Sequence, residues 1–502
     1  MDCSTGQTGG PNAEALARFL SASAAIVGDE WVKTSSADVA PYGWVAIPFE
    51  TAVHMPAAAV CPNNLEEVQQ VVAAAQEHGV PLWPTSTGRN IGYGSSSVAD
   101  PGTVVLDMRR MDRITDFDPE LGTLVVEPGV TYHRLQEFIA HNGGGFWIDF
   151  PGPGPIVSPL GNTLERGHGV TPYGDHFAHS CGFEVLLADG ILMRTGLGGV
   201  EGTTSWQSYR YGFGPTLDGI FTQSNFGIVT KMGLWLMREP ESFRTVLAVW
   251  PEDDDIVRLT DTIRELRLDG TIATEGVMGN ATIFLAATST RAQVHSGPGA
   301  IPPEVALAEA RKVGLGAWNY VFTLYGRADR VEGDYQEAKR RLEASGATIA
   351  DARDEQAINE LTLKSFALFN WTGGGGLAWF APISPMRGAD MKRQYDIVRG
   401  VMARYGVDFM VGVAFGERAA LNVMPLLFDR ADPAWMRRVH DCYTELVDAV
   451  AEAGFGIYRT SIGYMDQVAA NHGAANLEVN RKIKRALDPK GIIAPGKSGI
   501  RI

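Results

Sequence analysis

The stretch Pro84-Thr85-Ser86-Thr87-Gly88-Arg89-Asn90-Ile91-Gly92-Tyr93-Gly94 constrains this chain more than any other. Its eleven residues hold three glycines, four small hydroxyl or amide side chains and one arginine. A buried helix or strand does not tolerate that mixture, because Gly raises the entropic cost of ordering and Ser, Thr and Asn compete for backbone hydrogen bonds. A loop wrapped around an anion needs it. Glycines let the backbone approach closely, successive N–H groups form a concave nest, and hydroxyls and Arg89 add donors. The stretch therefore reads as a pyrophosphate loop. It is not a Walker loop, since no Gly-Lys-Ser/Thr follows, and its glycine spacing departs from the Rossmann fingerprint. Taken alone the composition also suits a surface turn, so the flanks decide.

Upstream, Asn64-Leu65-Glu66-Glu67 reads as a capping box, Val68, Val71, Val72 and Ala75 share one helical face, and Gly79 ends the helix. Val80 to Trp83 is a short apolar strand entering the loop. Gly102 to Asp107 and Leu124 to Val130 are further strands, and a helix follows to about Asn142. A phosphate loop set among strands and helices in this way, with these residues, resembles the opening of the vanillyl-alcohol oxidase and p-cresol methylhydroxylase family of flavoproteins. The resemblance runs over nearly the whole chain and is nearest to the methylhydroxylases, notably in Pro155-Ile156-Val157-Ser158-Pro159 and Asn370-Trp371-Thr372-Gly373-Gly374-Gly375-Gly376.

The remaining composition narrows the class. At 502 residues the chain makes two domains or one large one. No run of 18 or more apolar residues is present, which argues against a membrane span, and Met1 to Gln7 lacks the pattern of a secretory signal. The four cysteines Cys3, Cys61, Cys181 and Cys442 are scattered without metal or redox spacing, as suits a reducing compartment. A net charge of −15 argues against nucleic acid and anionic membrane as partners. The expectation is a soluble, cytoplasmic enzyme that forms a homodimer.

The resemblance implies an α+β fold of two domains. Residues 1–10 would be a flexible arm, 11–239 and 457–502 an FAD-binding domain, and 240–456 an inserted α+β cap that roofs the active site. Past Pro240 the Gly-rich loops give way to alternating strands and amphipathic helices, which agrees with a helix-covered sheet. The expected cofactor is FAD. Its binding would fall first to Pro84, Thr85, Ser86, Thr87, Gly88, Arg89, Asn90 and Ile91. Glu127, Pro128 and Gly129 would bind it as well, as would a second Gly-rich loop with Ser158, Gly161, Asn162, Glu165 and Gly167. Gly227, Ile228 and Val229 would lie against the cofactor, and Lys497 in the closing tail completes the set.

Tyr93, Tyr458 and Arg459 match the family's phenol-binding constellation. A phenol has a pKa of roughly 10, and one cation with two hydroxyl donors at its oxygen would lower it by about 1–3 units. The phenolate pushes electron density to its para carbon, hydride leaves the benzylic carbon for the flavin, and a p-quinone methide results.

The departures from the family matter as much. The positions that tether the flavin in relatives hold Phe369 and Leu377, neither of them a nucleophile, so the FAD is expected to be non-covalent. Carboxylates of the methylhydroxylases map onto Ser365, Gly412 and Pro425. The oxidase aspartate maps near Gly152, and an oxidase tyrosine maps onto Val170. The side-chain end of the pocket thus reads as less acidic and suited to a bulkier or less polar para-substituent. His168, Asp175 and His176 are the remaining candidates for the base. The electron acceptor is left open between oxygen and a cytochrome c subunit or other carrier. Two alternatives stand beside this reading: a flavin enzyme that ends in an alkene or ketone, and a flavin-binding subunit without turnover.

Overall fold

The helix Leu65–His78 begins at Asn64, whose side chain accepts the Glu67 amide at 3.0 Å, and it ends at Gly79, held in the left-handed region at φ 66°. The return bond of the expected capping box shifts by one residue, because the Glu67 carboxylate accepts from the Asn63 amide at 2.7 Å. Its buried face carries Val68, Val71, Val72 and Ala75, as the periodicity requires. It packs in the same core as a four-stranded sheet ordered Val32–Lys33, Ala58–Val60, Val104–Asp107, Leu82–Thr85. The last three strands are parallel and almost wholly buried, which explains their unbroken apolar runs. The structure is a computed structural model that describes residues 12–142, 144–152, 154–352 and 364–502, so the arm expected at 1–10 lies outside the described residues.

The chain's closing tail returns to this sheet. The Leu82 amide donates to Ile492 O at 2.7 Å, and the Ala494 amide donates to Leu82 O at 2.7 Å. Lys484 fixes the tail from beneath: its buried ammonium donates to Asn225 O, Ile493 O and Asp488 Oδ2, each at 2.7 Å. Asn225 completes the clamp by donating to Ala494 O and Ile500 O. A charged lysine survives burial because three acceptors and an opposite charge replace its water.

A second, antiparallel sheet is ordered Ile114–Asp118, Thr123–Val126, Ile228–Trp235, Ser180–Leu186, Leu192–Arg194. A hairpin turning at Asp189-Gly190 forms its edge, with Glu184 opposite Arg194. A turn of 3-10 helix at Asp218–Phe221 comes before its central strand, which starts at Ile228.

The third sheet has eight antiparallel strands in the order Thr348–Ala352, Ser242–Trp250, Trp318–Gly326, Val277–Asn280, Gly412–Phe415, Ala419–Asp429, Gly375–Pro385, Ile457–Arg459. Helices Asp255–Leu268, Ala328–Ala344, Gly388–Arg404 and Pro433–Glu452 bury their apolar faces in its core. The short strand Gly412–Phe415 pairs with Val277–Asn280 on one side and Ala419–Asp429 on the other. Ile457–Arg459 is the sheet's edge strand, with Arg459 opposite Ala381. That edge carries Tyr458 and Arg459 to the boundary with the first two sheets. Both the α+β class and the mixture of helix and sheet agree with expectation. Among the described residues no helix is long and apolar enough to cross a membrane.

Candidate active site

A cavity of about 590 Å³ opens where the three sheets meet. The loop that follows Leu82–Thr85 forms one wall, at the carboxyl end of a parallel strand, where ligands of α/β sheets bind. Gly88 sits at φ 66°, and among the described residues no hydrogen bond uses the amides of Thr87, Gly88, Arg89 or Asn90. Free N–H groups in sequence, curved by a left-handed glycine, form an anion nest. The second Gly-rich loop abuts it so closely that a Cβ on Gly161 would stand 2.2 Å from Ser86 Oγ. Ser158 caps the helix Pro159–Leu164, and its own amide donates to Thr87 Oγ1 at 3.2 Å, locking the two loops together. Ser95 Oγ and Ser224 Oγ also line the cavity, buried and bonded to no protein atom among the described residues. Unused amides, orphaned hydroxyls and room for no side chain at Gly161 fit a dinucleotide laid along both loops.

All of residues 84–91 line this cavity, as do Ser158, Gly161, Asn162, Glu165, Gly167, Gly227, Ile228, Val229 and Lys497. Glu127, Pro128 and Gly129 lie behind it. Glu127 is buried and paired with the Arg113 guanidinium at 2.7 Å, Pro128 O accepts from Ser158 Oγ at 2.7 Å, and a Cβ on Gly129 would strike Arg109 O. They support the second loop from outside the lining.

Tyr93, Tyr458 and Arg459 come together at one end. The Arg459 guanidinium lies 4.1 Å from the Tyr93 ring centre and donates to Asn90 Oδ1 at 2.5 Å. Burial, with Tyr458 beside it, pushes the Tyr93 hydroxyl well above its ordinary value against the pull of Arg459. Burial likewise raises Tyr458, and Arg459 opposes it. Both hydroxyls therefore stay protonated at neutral pH and remain donors. Gln223 steadies this end by donating to Tyr458 O at 2.9 Å.

Glu165 bridges the two ends, ion-paired with Lys497 and 3.7 Å from Arg459 Nε. Burial disfavours its charge, yet Lys497 and then Arg459 hold the carboxyl below its ordinary value. The arrangement leaves one net positive charge facing the cavity from these three groups.

Two carboxylates that the sequence does not mark, Glu275 and Asp149, stand beside the candidate bases. His168 lines the cavity, and its Nδ1 faces Glu275 Oε2 at 3.2 Å. Burial works against the imidazolium there, but Glu275, with help from Asp175 and Asp149, sets it above its ordinary value. Asp175 pairs through its backbone with His168 and caps the following turn by accepting the Ala178 amide at 3.0 Å, outside the lining. His176 is also outside it, held between Asp149 at 2.7 Å and Asn162 at 2.5 Å. Burial opposes the Asp149 charge, and His176 with the Thr171 amide overcomes it, so the carboxylate is held below its ordinary range. Glu275, Asp149 and Gln223 each lack a motif around them, which is why the sequence did not mark them.

Phe369, Leu377, Gly152, Val170 and Gly412 all line the cavity, whereas Pro425 does not. The side chain of Ser365 lies outside the described residues. Leu377 is buried, and its strand binds the loop directly: Trp379 Nε1 donates to Ile91 O at 3.1 Å.

Backbone strain gathers here too. Among the described residues six non-glycine residues have positive φ, and five of them, Ser95, Arg166, Gln223, Ala494 and Ser498, line the cavity or adjoin a lining residue. Strained backbone persists where the surroundings over-determine it, typically at functional sites.

Two protein-family models match the chain, one described as FAD binding domain over residues 56–196 and the other as FAD linked oxidases, C-terminal domain, over residues 302–498. The 4-cresol dehydrogenase (hydroxylating) flavoprotein subunit of Pseudomonas putida is 39% identical over 490 residues, covering 95% of this chain and 94% of that one. The crystal structure of p-cresol methylhydroxylase with substrate bound matches with a TM-score of 0.96 at 38% identity, covering 99% of this chain and 98% of that one. The 4-ethylphenol oxidase from Gulosibacter chungangensis, in its isoeugenol complex, matches with a TM-score of 0.95 at 33% identity over 99% of both chains.

Proposed function

The chain belongs to the vanillyl-alcohol oxidase and p-cresol methylhydroxylase family of flavoproteins, and we propose that it is an FAD-dependent oxidoreductase acting on the benzylic carbon of a para-substituted phenol. The observation that carries this reading is the meeting of Tyr93, Tyr458 and Arg459 at one end of a cavity whose other walls form an anion nest. FAD, when bound, supplies the acceptor for the hydride that leaves the benzylic carbon. The free amides of residues 87–90, with Ser86 and Gly161 beside them in the lining, would hold its pyrophosphate.

The protein's own work lies at the phenol oxygen. Arg459 supplies a full charge, and Tyr93 and Tyr458 supply O–H donors, so the bound phenol ionises below its ordinary pKa. Ionisation raises electron density on the para carbon and weakens the benzylic C–H bond toward hydride loss. Phe369 and Leu377 at the tethering positions leave the FAD held without a covalent link. A relative bearing the name flavoprotein subunit works beside another subunit, and a separate electron carrier is the matching partner here, with oxygen as the alternative acceptor.

Anaerobic mixing of the purified, FAD-loaded protein with a panel of 4-alkylphenols tests the reading. Loss of the oxidised flavin absorbance supports it, and a flavin that stays oxidised with every phenol overturns it.

A further inference from the structure

Glu275 and His168 approach from different parts of the fold. His168 follows the helix Pro159–Leu164, and Glu275 precedes the strand Val277–Asn280. Glu275 Oε2 and His168 Nδ1 are both buried and stand 3.2 Å apart as an ion pair, with no other hydrogen-bond partner for either atom among the described residues. The backbone on the glutamate side is fixed, because Glu275 O accepts from Tyr320 OH at 3.1 Å and from the Phe415 amide at 3.3 Å. On the histidine side, the ring meets the Tyr458 ring edge-on at 6.4 Å. With Nδ1 turned to Glu275, Nε2 is the nitrogen at the ring's far end, and no hydrogen bond of the described residues uses it. The charged or titratable groups around His168 are Glu275 from the eight-stranded sheet, Asp175 and Asp149 from the neighbouring loops, and Tyr458 from the edge strand.

We propose that Glu275 is a positioning residue that turns Nδ1 of His168 toward itself and makes Nε2 the proton acceptor for the step after benzylic oxidation, an inference that rests on the phenol reading above. Once hydride has left, the substrate is a neutral quinone methide, and two completions balance. In one, a water oxygen bonds to the exocyclic carbon, the electron pair of the exocyclic double bond returns through the ring to the phenol oxygen, and the water's proton passes to His168. In the other, a C–H bond one carbon further out breaks, its electron pair becomes the new C=C bond, and the proton passes to His168. Each completion releases one proton and regenerates the phenolate. A carboxylate behind the imidazole favours the imidazolium that forms.

The test uses holoenzyme carrying Glu275→Gln, labelled with 15N-histidine, the His168 signals being assigned by their loss in His168→Asn. The His168 titration midpoint is expected to fall by about one unit or more. In single-turnover quench, the acid limb of product formation moves down by the same amount, and product formation falls roughly tenfold more than flavin reduction does. Glu275→Asp, which keeps the charge, returns part of the shift. An unmoved midpoint, or flavin reduction and product formation that fall in parallel, overturns the proposal. Should the Gln variant fail to fold, the wild-type titration decides: a His168 midpoint at or below the ordinary 6.5 contradicts the pairing. A wild-type flavin that no 4-alkylphenol reduces would sink the phenol reading, and the titration would still decide whether Glu275 governs His168.

Discussion

Arg459 donates to Asn90 Oδ1 at 2.5 Å, which joins the Tyr93–Tyr458 end of the cavity to the Gly-rich loop with the unused amides. The contact spans most of the chain and sets the guanidinium over the Tyr93 ring. On the proposed reading one loop would serve two ligands: its unused amides would take the pyrophosphate, and the Asn90 side chain would hold the cation toward the substrate.

Arg459→Lys breaks this link even though the charge remains. Lysine offers a point charge without the planar fork that meets Asn90 while facing the substrate. Stopped-flow flavin reduction by a 4-alkylphenol is expected to slow by about tenfold or more. An unchanged rate would remove Arg459 from the site.

Acid precipitation reports on the flavin attachment. A benzyl group at Phe369 and an isobutyl group at Leu377 cannot bond to the flavin methyl carbon, so the FAD should leave with the supernatant over a colourless pellet. A yellow, fluorescent band on a denaturing gel would contradict the assignment. Phe369→Tyr restores attachment only if its neighbours still support flavin activation.

Substrate scope follows from Val170 and Gly412 in the lining, with Phe284, Ile283 and Val423 beside them. These groups leave room and apolar surface, and a methylene in an apolar pocket is worth roughly 1–3 kcal/mol. Bulkier 4-substituted phenols are expected to exceed p-cresol in kcat/KM across a panel. A panel led by p-cresol would count against this account of the lining.

Acid stability depends on Glu165. Burial disfavours its charge, yet Lys497 and Arg459 hold its folded pKa below the ordinary 4.5. A depressed carboxyl contributes stability that is fully present above its unfolded pKa and is lost as pH falls through the folded value. Glu165→Gln should therefore be less stable than the native protein at neutral pH and flatter in its pH dependence below 4.5. Denaturation midpoints measured on a descending pH series give the comparison, and parallel curves would contradict the charge network.

Much of the first sheet was legible because its signals are local. The cap at Asn64, the four-residue apolar face and the glycines of 88, 92 and 94 each act within a few positions, and all take the expected form. The resemblance added Tyr458 and Arg459, which no local pattern marks. Glu275 escaped because its meaning depends on His168, 107 positions away by number and in a separate loop. Lys484 reads as one cation of an amphipathic helix, and only the tail folded over it turns it into a buried clamp. Strands Ser242–Trp250 and Ala419–Asp429 are hard to read from the sequence, since neither alternates cleanly between polar and apolar residues. The five strained residues were illegible for a different reason: a positive φ at Gln223 or Ser498 is imposed by packing and opposes residue preference.

The central claim is that Tyr93, Tyr458 and Arg459 ionise the bound phenol, and its ionisation measures that claim directly. A 4-substituted phenol whose anion absorbs apart from its neutral form is titrated in difference spectra, free and bound to the FAD-loaded protein. The account predicts that the bound phenol ionises about 1–3 units below its free value, and that Arg459→Gln returns most of the shift. A bound phenol that titrates at its free value, or a shift that survives Arg459→Gln intact, would contradict it.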